Sequence, residues 1–368
     1  MINKIRVYYF ALIFVLISLG SYPSFASVEF VYSGEQDNKS FDRLILDLKD
    51  HTKDIKNLKF SVLSSNNCDK LIFALLCQLP SKPGLEHLDL SQVSLSNDLI
   101  KKLSDYLAGS KLKTLNLIAS ELTDSSASLL AEGLKKNKSL QELNLGGNLI
   151  SVAGALSLSE SIKENNHLVS LKLGGNPIGN IGLQALCKAL EENKSLVFLD
   201  LTYSNVSVLE PITDLLKVNN SLQHLNLNYN LIDKKSWQPF TTVLESNSSL
   251  VQLELEGCRL PESGLVDLFS GLVKNSTLMS LNLSNNQIAS VSSVIEYFKA
   301  SKNLKSLYLR FNKIKNSDEI IMLATLVAAD STFEVLDLRW NPPVEEELRL
   351  ELKEKLGKLS QILYFPNR

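Results

Sequence analysis

The residues of this 368-residue chain best suited to nucleophilic, redox or metal chemistry are four histidines and four cysteines. His51, His87, His167 and His224 stand far apart in the chain. No His-Glu-x-x-His, Gly-x-Ser-x-Gly or phosphate-loop pattern accompanies them. Gly146-Gly147 and Gly174-Gly175 look like phosphate-cradling loops but recur at one fixed spacing, which is the mark of a structural position. Cys68 and Cys77 are nine residues apart. On one helix they would lie on opposite faces, about 13.5 Å apart along the axis, beyond disulfide reach. With Cys68 in a loop before the helix, a bridge could form in an oxidising compartment. Cys187 and Cys258 have no histidine near them in sequence. Richer in recognition chemistry are two aromatic groups: Phe198, Tyr203 and Tyr229 with Asp200, and Tyr308, Arg310, Phe311, Arg339 and Trp340. Glu254 and Glu256 make an acidic patch between them. Tyr, Trp and Arg are the residue types enriched at the energetic centres of protein interfaces. The pattern therefore points to non-covalent recognition; no catalytic residue, cofactor or metal site is expected.

These side chains are positioned by a repeat. Leucine is 72 of the 368 residues and asparagine 31. The frame Leu140-x-x-Leu143-x-Leu145-x-x-Asn148-x-Ile150 recurs from Leu168, Leu222, Leu278 and Leu304. Variant copies start at Leu85, Leu112, Leu196, Leu250 and Phe333, and a weaker one at Ile55. Successive starts from Leu85 are 26 to 29 residues apart. Counting from each first leucine, offsets 18 and 22 are apolar (Leu103/Leu107, Leu130/Leu134, Leu158/Ile162), a helical spacing. Offset 14 is often small (Ser126, Gly154, Gly182, Gly264), which lets that helix start close to its neighbour. Near offset 25, just before the next copy, Asn recurs at 137, 165, 193, 219, 247 and 275, and Asn tolerates a left-handed helix end. Each unit reads strand, turn, helix, turn. No unit can bury its own leucines, so stacking must build the core. The Asn at offset 8 should bond backbone groups as a ladder, weakened where Ser120, Ser204 or Cys258 replaces it.

The frame, the small residue and the two helix leucines resemble the ribonuclease-inhibitor type of leucine-rich repeat, over roughly Ile55 to Pro343. The resemblance implies an α/β solenoid: a right-handed horseshoe of about ten to eleven repeats, with a parallel concave sheet and outer helices. Similar arrays occur in inhibitors, innate immune receptors and secreted bacterial proteins, and usually bind another protein on the concave sheet. Strand offsets 2, 4 and 6 face away from the leucines, because side chains alternate. Offset 4 reads Asp89, Asn116, Asn144, Lys172, Asp200, Asn226, Glu254, Asn282, Tyr308 and Asp337. Offset 7 holds the large rings Tyr203, Tyr229, Phe311 and Trp340. His87 and His224 share offset 2 five strands apart, about 24 Å at ~4.8 Å per strand, so they cannot share a metal ion.

The ends and the composition bound the rest. Lys4 and Arg6 precede an apolar run from Tyr8 to Gly20 and small residues at Ser24 and Ala26, the order of a secretory leader cut after Ala26. The expected organisation is a signal peptide over 1–26, an N-terminal cap over 27–54, the array over 55–343 and a capping helix over 344–368. The cap should contain a strand over Val28–Tyr32 and a helix over Phe41–Thr52. The formal charge is −2, and loss of Lys4 and Arg6 makes it −4. With a pI near 6.2, a basic nucleic-acid binder is excluded. The apolar content excludes a disordered chain. The mature chain is expected to be an exported monomer without a membrane span, binding an unidentified protein. Two other roles fit the same features: a bacterial effector that mimics host repeat proteins, and an envelope-associated scaffold.

Overall fold

The computed structural model of the chain describes residues 27–32, 38–50, 55–62 and 68–342. The expected leader, the capping helix over 344–368 and His51 lie outside them. The chain divides into two compact units, 1–204 and 205–368.

In the first unit, strands β1 (Ser27–Tyr32), β2 (Asn57–Val62), β3 (His87–Asp89), β4 (Thr114–Asn116), β5 (Glu142–Asn144), β6 (Ser170–Lys172) and β7 (Phe198–Asp200) pair in chain order, all parallel. Parallel neighbours need a crossover. Here it is a helix each time: α1 (Asn38–Lys49), α2 (Cys68–Gln78), α3 (Asn97–Gly109), α4 (Asp124–Lys136), α5 (Val152–Glu164) and α6 (Gly179–Glu192). Register is strict, since Leu88, Leu115, Leu143, Leu171 and Leu199 are successive partners. Their side chains are at most 1 % exposed, so a slip of one residue would expose the whole row. The expected N-terminal strand forms, and the helix after it starts three residues early and ends at Lys49. Both Cys68 and Cys77 lie on α2, and Cys77 is a free thiol.

The second unit repeats the pattern with α7 (Glu210–Val218), β8 (His224–Asn226), α8 (Trp237–Ser246), β9 (Gln252–Glu254), α9 (Glu262–Leu272), β10 (Ser280–Asn282), α10 (Ser292–Ala300), β11 (Ser306–Tyr308), α11 (Ser317–Ala328) and β12 (Val335–Asp337). Strands β8 to β12 pair in order and parallel. The copies from Leu196 and Leu278 are two residues shorter than most, and their helices α7 and α10 have nine residues each. Aromatic bulk accompanies the short helices. Trp237 packs edge-to-face on Phe240, and Phe269, Tyr297, Phe298 and Phe333 form a chain of edge-to-face contacts.

Close helix packing accounts for the small residue at offset 14. A Cβ on Gly182 would lie 2.7 Å from the Ile178 methyl and 2.9 Å from Ala155; on Gly154 it would meet Ile150 at 2.6 Å.

Two asparagine ladders flank the leucines in each unit. At offset 8, Asn148 Nδ2 donates to the Leu117 and Leu145 carbonyls, and its Oδ1 accepts from Ser120 and Leu122 N–H. Asn286, Asn312 and Asn341 likewise bond the preceding copy and their own. Where Ser120 stands in, its hydroxyl still donates to the Leu90 carbonyl at 3.0 Å. It offers no amide oxygen, and Leu95 N–H reaches only the Ser120 carbonyl, at 3.4 Å. Cys258 donates to the Leu227 carbonyl, and burial pushes its thiol up to about 12, which keeps it unreactive.

The second ladder corrects the expectation for the asparagines that end the helices. Asn137, Asn165, Asn193, Asn219 and Asn247 are extended, not left-handed, with φ between −68° and −91°. They recur because both ends of the amide are used. Asn137 Nδ2 donates to the Leu107 carbonyl of the preceding helix, and its Oδ1 accepts from Ser139 and Leu140 N–H at the next strand. Asn165, Asn193 and Asn275 repeat this arrangement. With the amide nitrogens buried in backbone bonds, their Asn-x-Ser/Thr triplets are products of the repeat. At this rung the last described copy carries Asp330. One carboxylate oxygen accepts from Thr332, while Oδ2, in the place of the amide nitrogen, is buried without a hydrogen-bond partner among the described residues. Asp330→Asn would supply the missing donor, and urea unfolding is expected to show a gain of about 1 kcal/mol; a loss of stability would refute the assignment.

Candidate recognition face

The face of the sheet opposite the leucines is shaped by a third use of short polar side chains. Seven of the ten offset-4 residues are Asp or Asn, and each accepts the N–H two residues on: Asp89 from Ser91, Asn116 from Ile118, Asn144 from Gly146, Asp200 from Thr202, Asn226 from Asn228, Asn282 from Ser284 and Asp337 from Arg339. These are Asx turns, which end a strand by satisfying a backbone donor from the side chain. The polar row therefore has a structural cause. Lys172, Glu254 and Tyr308 are the three offset-4 residues outside this set. In two of the three copies a neighbouring strand supplies the acceptor instead: Asn228 Oδ1 takes Glu256 N–H and Ser284 Oγ takes Arg310 N–H. Glu254 and Tyr308 are thereby released from the turn.

The turn has a consequence at offset 7. All ten residues there have positive φ, from 50° at Tyr203 to 74° at Gly175. Three copies use glycine, at Gly147, Gly175 and Gly257, and four use the rings Tyr203, Tyr229, Phe311 and Trp340. A side chain in this left-handed region costs about 1–2 kcal/mol relative to the ordinary backbone, a penalty glycine escapes. At Gly257 even glycine is packed against, since a Cβ would lie 2.8 Å from the Tyr229 ring.

In the first unit, Phe198 lies under the Lys172 ammonium, 5.8 Å from the ring centre, and Lys172 also pairs with Glu142 at 2.6 Å. Asp200 is nearly buried, its carboxylate held by Thr202 N–H and Oγ, and burial raises its pKa. His87 bonds Thr114 across the strands at 2.8 Å, and burial lowers its pKa.

The second unit gathers the other sequence candidates into one network. The Tyr229 hydroxyl donates to Glu256. Asn282 Nδ2 bridges Glu254 at 2.8 Å and Glu256 at 3.3 Å, and Gln252 donates to Glu254 at 2.9 Å. Arg310 lies 3.7 Å from Glu256 and 3.5 Å from Asp337. Arg339 grips Asp337 with Nε at 2.8 Å and Nη2 at 2.5 Å. Burial and the nearby Glu254 carboxylate raise the Tyr308 pKa. Beside this network, Phe311 and Trp340 stack parallel, with ring centres 5.5 Å apart and planes within 1°. They remain 50 % and 56 % exposed. His224 bonds Gln252 at 3.1 Å.

The acidic patch and the C-terminal aromatic group are thus one bonded set, and Tyr229 belongs with it. Sequence reading missed the residue that joins them. Asp337 is 4 % exposed and serves both arginines. The signal was present, since Asp337 and Arg339 are two apart on one strand face. Among the described residues, no group of three His, Cys, Asp or Glu side chains could hold a metal ion, and no helix is long and apolar enough to cross a membrane.

Comparison with known proteins follows the frame. A family profile described as "Leucine Rich repeat" matches residues 136–159, 164–187 and 274–291. No curated protein sequence matches the chain. Solved structures similar to it include leiomodin-1 actin-binding site 2, 21 % identical over 48 % of this chain and 87 % of that one, with a TM-score of 0.34. The tropomodulin C-terminal domain of Caenorhabditis elegans is 20 % identical over 40 % of this chain and 90 % of that one, at 0.35. Internalin C2 of Listeria monocytogenes is 20 % identical over 74 % of this chain and 84 % of that one, also at 0.35. With its ladders in register and one helix crossing between successive parallel strands, the described chain has the fold of a leucine-rich repeat solenoid.

Proposed function

We propose that this is an exported, non-catalytic recognition protein that binds a partner protein on the sheet face opposite the leucines, the concave face of the expected horseshoe, centred on Tyr308 to Trp340 of its second unit. The observation that carries the reading is the Phe311–Trp340 stack. Two large rings are held half-exposed in a backbone conformation that costs energy, at a turn where other copies use glycine. The left-handed backbone belongs to the turn of every copy; what sets this pair apart is two large rings beside arginine, the usual anchors of interfaces. The strand-plus-helix unit of 26 to 29 residues supports the ribonuclease-inhibitor type of repeat. Export rests on the basic, apolar and small-residue order of residues 1–26.

The test uses the mature chain as affinity bait with mass spectrometry. The bait's own first peptide should begin at Ser27. Alanine at Tyr308, Arg310 and Arg339 together should weaken binding of the captured partner at least tenfold, in a variant whose melting curve shows it folded. Unchanged affinity would remove the face from the proposal.

A further inference from the structure

Among the described residues, the charged side chains on the turns beside the ring stack are cations; Glu254, half-buried, accepts from Gln252 and Asn282, and the exposed acids Glu262 and Asp318 stand further on, at the starts of α9 and α11. Glu256 and Asp337 are buried and spent inward, on Tyr229, Asn282 and the two arginines. The cations lie further out. The Arg310 and Arg339 side chains are 31 % and 39 % exposed. Beyond them on the same turns are Lys313, two residues after Phe311, and Lys315, both exposed. Arg259, exposed with φ 58°, occupies offset 9 as Lys313 does, two strands away, roughly 10 Å at the usual strand spacing. Lys313 reaches sideways to Gln287, not to an acid. A partner meeting this edge therefore touches ring carbon flanked by cations, with the balancing carboxylates underneath.

We infer that the ledge formed by Phe311 and Trp340, with Arg259, Arg310, Lys313 and Arg339 around it, takes an acidic polypeptide segment that carries an aromatic or long apolar side chain. The rings supply the apolar contact and the cations set the sign of the partner. This inference rests on the protein-binding reading of the same face and adds the chemistry of what is bound. Opposite charge on a mostly exposed rim speeds encounter and selects partners, and it weakens as salt rises.

The experiment uses the full mature chain and three fluorescent twelve-residue peptides with identical Phe and Leu positions. Their remaining residues are Asp/Glu, Lys/Arg or Ser/Gln. The acidic peptide is expected to bind at least tenfold more tightly than the other two, and to weaken at least fivefold between 50 and 300 mM salt. The Arg259→Glu/Lys313→Glu variant changes only exposed side chains and should cut acidic-peptide binding at least fivefold. The Phe311→Gly/Trp340→Gly variant should lose binding while its melting temperature holds or rises, because glycine relieves the left-handed turn. Equal or tighter binding of the basic or uncharged peptide would overturn the acidic assignment but leave the protein-binding face standing. Binding of none of the three would overturn both. Binding of anionic phospholipid vesicles or dextran sulfate without the acidic peptide would show that the ledge reads bare negative charge, and would also overturn the inference.

Discussion

Asn148→Ala is expected to destabilise the protein by about 4 kcal/mol, because each buried group left without a partner costs about 1–3 kcal/mol. Asn148 is 3 % exposed. Its amide satisfies Ser120 and Leu122 N–H in the preceding copy and the Leu117 and Leu145 carbonyls on either side. In a stacked array stability is a sum over neighbours, so the damage should centre on two copies. Hydrogen exchange should show loss of protection at Ser120 and Leu122 before the rest of the first unit. Asn148→Ser should cost about half as much, since Ser120 shows that a hydroxyl can keep one carbonyl bond across copies while giving up the acceptor. A loss under 1 kcal/mol for the alanine variant would mean that the ladder is incidental to the fold.

The second large effect is expected at Asp337. Its carboxylate accepts Arg339 N–H, both Nε and Nη2 of Arg339, and the closer approach of Arg310. Asp337→Ala removes the Asx turn that ends β12, takes away the carboxylate that Arg339 grips and leaves Arg310 beside Glu256 alone. Breaking a buried pair from one side typically costs 3–5 kcal/mol; the arginines are partly exposed, so about 3 kcal/mol is the expected loss in urea unfolding. The same change should loosen the Phe311–Trp340 stack, because Phe311 N–H bonds the Arg339 carbonyl, and near-ultraviolet dichroism from the rings should fall. Asp337→Asn keeps an acceptor for the turn and loses only the charge, so it should cost less. Equal losses for both variants would show that the turn contributes nothing beside the ion pairs.

Much of this architecture was legible before the fold. The 28-residue period, the strand at the front of each copy and the helix behind it follow from leucine spacing alone, because only one stacking buries every leucine at once. Gly154 and Gly182 could be read as packing contacts on the same ground. Three positions were not legible. The helix-ending asparagines looked like left-handed caps, since Asn is common there. Their extended backbone and two-way bonding appear only when the neighbouring copy brings the Leu107 or Leu134 carbonyl into reach. The offset-4 row looked like a partner-facing surface, and alternation does point it outward. Its side chains are short enough to fold back on their own turns, a local competition that periodicity cannot express. Asp337 passed unnoticed because it looked like one more member of that row.

The repeat, the direction each strand residue faces and the inventory of rings and charges between the leucines follow from the order of residues along the chain, since they depend on local period and on burial of apolar area. Which of those side chains are spent and which remain depends on the packing of one copy against the next. It turned Glu256 and Asp337 inward against arginine and tyrosine, and left Phe311 and Trp340 stacked in a left-handed turn at the surface. That choice is made by contacts between copies 26 to 29 residues apart, where distance in space is set by stacking and not by position in the chain.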